Sequence, residues 1–393
     1  MNDVDVYDVD VNIEPMLSPP KPPLPSEAAL HYPLGDTLPA LGATIEVAPG
    51  VRWLRMGLPF ALDHINLWLL RDAEDGPAGR REGWTIVDCG IANDATRTAW
   101  EQVFAHELQG LPVLRVIVTH MHPDHIGLAH WLCERWSAPS HPSGAEAGLA
   151  APECRLWVSA TDWNVARTAS QANTGHGGDS AADFFALHGL TDAASLAKVR
   201  ARGSYYAHMV PQVPARYRRL MDGMVLRIGG HDWHGIVGYG HAPEHIALHC
   251  PALGALISGD MVLPRISTNV SVIDLEPEAD PLQLYLASIE RLRAVPADTL
   301  VLPSHGKPFI GLHARITQLQ DHHRDRLAEV LAACAEAPQS AAELLPVLFR
   351  RPLDLHQTTF AMGEAVAHIH LLLGQGRLKW VPQADGVLRY GLA

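Results

Sequence analysis

Cysteine, positive charge and long apolar runs are scarce in this chain of 393 residues. Its five cysteines, Cys89, Cys133, Cys154, Cys250 and Cys334, show no CxxC spacing, and an odd number cannot all pair. That pattern excludes a disulfide framework and points to a reducing, cytoplasmic compartment. Lys and Arg number 30 against 43 Asp and Glu, a formal net charge of −13. The negative balance argues against a polyanion held by bulk electrostatics, so nucleic acid is not the expected partner. No stretch reaches the ~18 consecutive apolar residues of a membrane span. The first residues alternate Asp with Val and lack the basic start and apolar core of a signal peptide. Neither a leader nor a membrane partner is therefore expected.

A length near 400 suggests about two domains, and a hydrophobic content of 47% supplies a sizeable core. Residues 1–30 stand apart. They are acidic (Asp3, Asp5, Asp8, Asp10, Glu14) and then proline-rich from Pro15 to Pro25. Such a segment buries little apolar surface and reads as a disordered arm that the chemistry does not need.

The densest chemical signal is Thr119-His120-Met121-His122-Pro123-Asp124-His125. It follows the β-branched run Val113 to Val118, which reads as a buried strand. Four metal-capable side chains thus sit where a strand ends and the chain turns, a usual place for an active site. Three further strand ends each supply one candidate ligand. Gly240-His241-Ala242-Pro243-Glu244-His245 follows Gly235 to Tyr239, Ser258-Gly259-Asp260 follows Ala255 to Ile257, and Pro303-Ser304-His305-Gly306 follows Thr299 to Leu302. Together they deliver His120, His122, Asp124, His125, His241, Asp260 and His305. A tetrahedral zinc takes three or four protein ligands. Seven groups suit two divalent ions with a bridging carboxylate, and imidazole with carboxylate suits zinc, iron or manganese.

These residues resemble the metallo-β-lactamase superfamily, in its dinuclear hydrolase branch. The HxHxDH motif is matched in full at 120–125, and the later single-residue motifs at His241, Asp260 and His305 follow in the family's order. The resemblance runs from about Ile65 through His305. It implies that His120, His122 and His241 hold one metal, that Asp124, His125 and His305 hold the other, and that Asp260 bridges them. Asp88, at a strand end before Cys89-Gly90, matches a further family position and is read as holding a ligand histidine from behind, as is His245. The implied chemistry is hydrolysis by a hydroxide activated between two metals, with Asp124 relaying a proton to the leaving group.

The hydrophobic pattern alone gives an α/β or α+β fold; the resemblance implies a four-layer αβ/βα sandwich. Strands are expected at Ala43–Val47 and Val51–Arg55, turning at Pro49-Gly50, and at Ile65–Leu70 and Trp84–Val87, joined by a polar loop from Asp72 to Glu82. A helix is expected over Asp94–Leu108. The catalytic domain is placed at 40–314. Within it, residues 162–220 form a mostly helical insertion without a ligand motif, rich in Phe184, Phe185, Tyr205, Tyr206, His208, Met209, Arg216 and Tyr217. Insertions of this length are often binding walls, and Tyr205, Tyr206 and His208 are the candidate substrate contacts. His176 and His208 lack a partner at metal spacing, and His322-His323 falls in a predicted helix where it packs.

Residues 315–393 read as helices over Arg315–Ala337, from a capping box at Ser340-Ala341-Ala342-Glu343, and over Gln357–Leu373, then a two-stranded ribbon. This order resembles a winged-helix cap. From residue 320 to 393, seven Lys and Arg (324, 326, 350, 351, 377, 379, 389) are outnumbered by eight Asp and Glu (321, 325, 329, 336, 343, 354, 364, 385). That is not the basic face that phosphate contacts need, so a structural or dimerising cap is expected. The expected substrate is a small acyl compound, a thioester before a lactone. A lactamase-like phosphodiesterase or endoribonuclease is the alternative. A degenerate binding protein would have lost ligands, an exported β-lactamase would carry a leader, and no glutathione-specific signature marks a glyoxalase II.

Overall fold

The computed structural model describes residues 29–60, 62–76, 79–137, 153–172, 177–203 and 205–393. Residues 1–28 of the arm, His176 and the side chain of Tyr205 lie outside the described residues; Leu30, at the expected end of the arm, is instead buried in the core.

In chain order, the first half gives strands β1 (Ile45–Ala48), β2 (Val51–Gly57), β3 (His64–Gly76) and β4 (Gly79–Val87), then helix α1 (Asp94–His106) and β5 (Val113–Ile117). After the short α2 (Pro123–Ile126) and α3 (Ala129–Trp136) come β6 (Arg155–Ser159), α4 (Ala160–Ala169), α5 (Gly178–Leu187), α6 (Ala193–Ala201), α7 (Tyr205–Met209) and β7 (Tyr217–Leu220). These strands form one seven-stranded sheet in sequence order. It is antiparallel from β1 to β4 and parallel from β4 to β7.

The second half repeats the plan. Strands β8 (Val225–Ile228), β9 (His231–Gly238), β10 (His245–Cys250) and β11 (Ala255–Gly259) run antiparallel. Helix α8 (Pro281–Arg291) crosses over to β12 (Leu300–Pro303), which lies parallel to β11, and β13 (Phe309–Ile310) closes a six-stranded sheet. The long α9 (Leu312–Glu336), α10 (Ala341–Leu348) and α11 (Leu355–Gly374) follow, then the ribbon β14 (Leu378–Val381) and β15 (Arg389–Leu392).

Period-two alternation decides which layer each strand residue joins. Trp53, Trp68, Val87 and Ile117 of the first sheet meet Trp233, Ile246, Ile257 and Leu302 of the second in a core between the sheets. Their neighbours Leu54, Leu67, Ile86 and Val116 point the other way, against Trp100 of α1, Leu132 of α3 and Ala166 of α4. Ala247, Leu256 and Val301 likewise face outward onto Tyr285 of α8, Ile316 of α9 and Ile369 of α11. Helix, sheet, sheet, helix is the four-layer sandwich the resemblance implied. Buried strands read as continuous apolar runs because both faces are covered.

The polar loop expected from Asp72 to Glu82 is instead the end of a long hairpin. Asp72 pairs with Gly83, Glu74 with Arg81 and Asp75 with Arg80, and Gly76 faces Gly79 at the turn. Opposite charges set across the strands, including Arg81 on Glu74 and Arg71 on Glu82, favour a pairing that an apolar period cannot reveal. Phe184 and Phe185 also depart from the expected binding wall. Both are buried in the core that α5 shares with α10 and α11.

Candidate metal centre

The four ligand-bearing turns converge at one edge of the sandwich, the end where β5, β9, β11 and β12 all finish. His120 Nε2 lies 2.9 Å from His122 Nδ1 and 3.2 Å from His241 Nε2. His125 Nε2 lies 3.6 Å from Asp124 Oδ2, and His305 Nε2 lies 3.5 Å from the same oxygen. Asp260 stands between the two groups. Its Oδ2 is 3.2 Å from His241 Nε2, while its Oδ1 is 3.6 Å from His125 Nε2 and 3.5 Å from His305 Nε2.

These spacings suit an ion. Two tetrahedral ligands, each about 2.0–2.1 Å from a metal, lie roughly 3.3 Å apart. Two His nitrogens facing each other cannot both accept without something cationic between them. Buried His125 Nε2 and Asp260 Oδ1 have no hydrogen-bond partner, a costly state unless the atoms serve another purpose. The sets His120/His122/His241, His120/His125/Asp260 and Asp124/His125/His305 each place their ligand atoms within 4.8 Å of one another. The donors present therefore fit divalent metal.

Electrostatics agree. Burial works against charge on His125, but Asp124, Asp88 and Asp260 outweigh it and hold the imidazole well above its usual range. Burial likewise pushes Asp260 upward, and the neighbouring His305 and His125 bring it well below the carboxylate range. His120 shows the opposite balance: burial, then repulsion from His125 and His122, keeps it neutral.

The atoms behind the ligands set their orientation. Asp88 Oδ2 lies 2.8 Å from His125 Nδ1, so His125 offers Nε2 to the centre. The backbone N–H of Thr119 donates to the other oxygen of Asp88 at 2.8 Å. His241 Nδ1 meets the Asn269 carbonyl at 2.8 Å and the Thr268 hydroxyl at 2.8 Å. His305 Nδ1 donates to the His64 carbonyl at 2.8 Å. His245 is fully buried and, disfavoured as a cation by burial and by His241, falls to about 3. Its Nε2 accepts the Asp260 backbone N–H at 3.2 Å. That packing requires glycine at 259, where φ is +53° and a Cβ would sit 2.1 Å from His245 Nε2.

The structure brings the seven candidate ligands together with Asp88 and His245. Of the candidate substrate contacts, Tyr206 is half-buried and its hydroxyl donates to the Met121 carbonyl, while His208 is exposed on α7. Residues that sequence reasoning missed are Asn66, Thr268, Asn269 and Asp162. Asn66 donates through Nδ2 to the Pro303 and Gly306 carbonyls at 2.8 and 2.9 Å, pinning the turn of His305. Its signal is a lone amide inside the apolar run Ile65 to Leu70.

Comparison with known proteins gives the family. The metallo-beta-lactamase superfamily model matches residues 63–305, and a metallo-beta-lactamase-like C-terminal domain model matches residues 327–393. The chain belongs to the metallo-beta-lactamase superfamily and is an enzyme of its hydrolase class. A beta-lactamase domain protein from Burkholderia ambifaria is 57% identical, with a TM-score of 0.83 over 94% of this chain and 99% of that one. A metallo-beta-lactamase family protein from Thermus thermophilus is 25% identical, with a TM-score of 0.66 over 88% of this chain and 100% of that one. "Probable metallo-hydrolase YqjP" of Bacillus subtilis (strain 168) is 24% identical over 332 residues, 81% of this chain and 91% of that protein. Among the described residues, no helix is long and apolar enough to cross a membrane.

Proposed function

We propose that this enzyme is a dinuclear hydrolase acting on a thioester or a related small acyl substrate. The observation that carries the dinuclear reading is Asp260, whose two oxygens face two different ligand groups. His120, His122 and His241 would hold one ion, Asp124, His125 and His305 the other, with Asp260 bridging. An all-nitrogen and oxygen donor set favours zinc, with iron or manganese as fitting substitutes. Two such ions, when bound, supply a water that ionises near neutral pH and a Lewis acid for developing negative charge.

The chain's own groups do the rest. Asp88 and the His64 carbonyl fix the tautomers of His125 and His305, and His245 holds the turn of Asp260. Asp124 is only partly buried, so its carboxylate can pass a proton to a leaving group. Helix α7, which carries Tyr205, Tyr206 and His208, is assigned to the substrate side. The acidic balance of the chain disfavours RNA, and the acyl reading rests on that balance and on the tyrosine content of α7. We read 40–314 as the catalytic unit and 315–393 as a winged-helix-like cap that closes one side.

Metal analysis should find about two ions per chain, falling to one or fewer in Asp260→Ala. A stoichiometry below one in protein purified without chelator sinks the dinuclear reading. On a substrate panel, acyl-CoA thioesters should be cleaved faster than bis-p-nitrophenyl phosphate. RNA cleavage that His122→Ala abolishes would instead favour the nuclease reading.

A further inference from the structure

Asp162 is fully buried and forms no ion pair with a cation among the described residues. Burial raises its carboxyl to about 6. A buried carboxylate is costly, so its contacts should explain why it is there. It is not needed to cap α4, because Ser159 already occupies that position and its side chain accepts the Asp162 backbone N–H. The carboxylate reaches elsewhere. Oδ1 accepts the backbone N–H of Met121 at 2.8 Å, and Oδ2 accepts the backbone N–H of Glu244 at 2.8 Å, with the Ser159 hydroxyl at 2.9 Å.

Those two amides belong to two different ligand turns. Met121 lies between His120 and His122. Glu244 lies in the turn that begins with His241 and ends with His245. One carboxylate therefore spans the two segments that carry His120, His122 and His241, whose nitrogens sit 2.9 and 3.2 Å apart. Met121 is held from both sides, since its carbonyl accepts the Tyr206 hydroxyl. The other triad has supports of its own: His64 with Asn66 behind His305, and Asp88 behind His125, though Asp88 also reaches His120 through the Thr119 hydroxyl. Thr161 extends the link by donating its hydroxyl to Glu244 at 2.8 Å.

We propose that Asp162 is a positioning residue that sets the separation of the two turns bearing the His120/His122/His241 triad, and so tunes metal affinity at that triad alone. The inference rests on the two-ion reading above. Supports of this kind typically change metal affinity 10–100-fold when removed.

The test is a Zn2+ titration of metal-free protein against a chromophoric chelator, repeated with Co2+ followed by absorption. Wild type should show two uptake steps. Asp162→Ala and Asp162→Asn should each weaken one step at least tenfold and leave the other within about threefold. The remaining Co2+ spectrum should match that of His241→Ala and differ from that of His305→Ala. Ser159→Ala keeps both backbone contacts of the carboxylate, so it should lower Tm while leaving both steps in place. Folded Asp162 variants with two unchanged steps, or with both steps weakened alike, would overturn the inference. So would failure of both variants to fold, which would make Asp162 a prop of the whole fold. Uptake of a single ion by wild type overturns the two-ion reading instead, independently of how the variants compare.

Discussion

Asp88 carries its role in an unusual backbone conformation. Its φ is +63°, one of two positive values among the described non-glycine residues. Aspartate tolerates this region better than most side chains, yet the position still stores strain. The turn aims both oxygens at the metal edge, where they take the Thr119 amide and hydroxyl and His125 Nδ1. Asp88→Ala should therefore lower metal affinity about 10–100-fold, read as metal retained after dialysis against a weak chelator. Glu364 gives a second expectation at this scale. Burial pushes it up to about 7 from the ordinary 4.5, only partly offset by Arg326. A folded pKa above the unfolded one favours the protonated native state. That contribution is complete below about pH 4.5 and is lost as pH rises through 7. Glu364→Gln cannot ionise, so wild type should lose about 1–3 °C more Tm than the variant between pH 5 and pH 8. An equal loss in both would show that Glu364 does not govern this dependence.

At the scale of elements, α11 meets the metal centre through the segment that follows β11. Gly363 packs so closely there that a Cβ would lie 2.7 Å from Ser271 Cβ and 2.8 Å from the Val272 carbonyl. The Val272 N–H donates to the Gly363 carbonyl at 3.1 Å, and Ser271 donates to Asn269 Oδ1 at 2.8 Å. Asn269 in turn holds His241. Gly363→Ala should cost about 1–3 kcal/mol of stability by overpacking and lower activity at substrate saturation. Thermal melts beside kcat check both, and an unchanged melt would refute the close contact. The candidate ligands are legible in sequence because they stand directly after apolar strands, four of them clustered at 120–125 and His241, Asp260 and His305 each at a strand end of its own. The supports are less so. Asp162 looks in sequence like part of the capping pattern Ser159-Ala160-Thr161-Asp162, and nothing local reveals that its carboxylate bypasses the helix. The inner half of the β3–β4 hairpin is legible in sequence, but its outer half escapes because it is built from cross-strand charge pairs rather than an apolar period.

Among the described residues, the two large sheets close against each other, and the candidate metal centre draws on both. His120, His122, Asp124 and His125 follow β5 of the first sheet; His241, Asp260 and His305 follow β9, β11 and β12 of the second. Ions that bind only the closed arrangement stabilise it by mass action. Stripping metal with a chelator should lower Tm by several degrees, and re-addition should restore it; a melt indifferent to metal would show that the sheets close without help from the centre. The layered architecture follows from the resemblance carried by the motifs. The pattern alone stops at a mixed α/β fold, because buried strands covered on both faces carry no mark of which sheet they join.

This division of ligands has a consequence for how the protein is made. As the chain leaves the ribosome, the turn of His120 emerges long before His305, and its histidines have no second sheet to face. The complete donor set comes into being only when β12 has joined β11 and the sheets have docked. An ion that needs donors from both sheets would therefore bind only after the catalytic layers are synthesised and docked, and the ions the folded protein meets would decide which metal it holds.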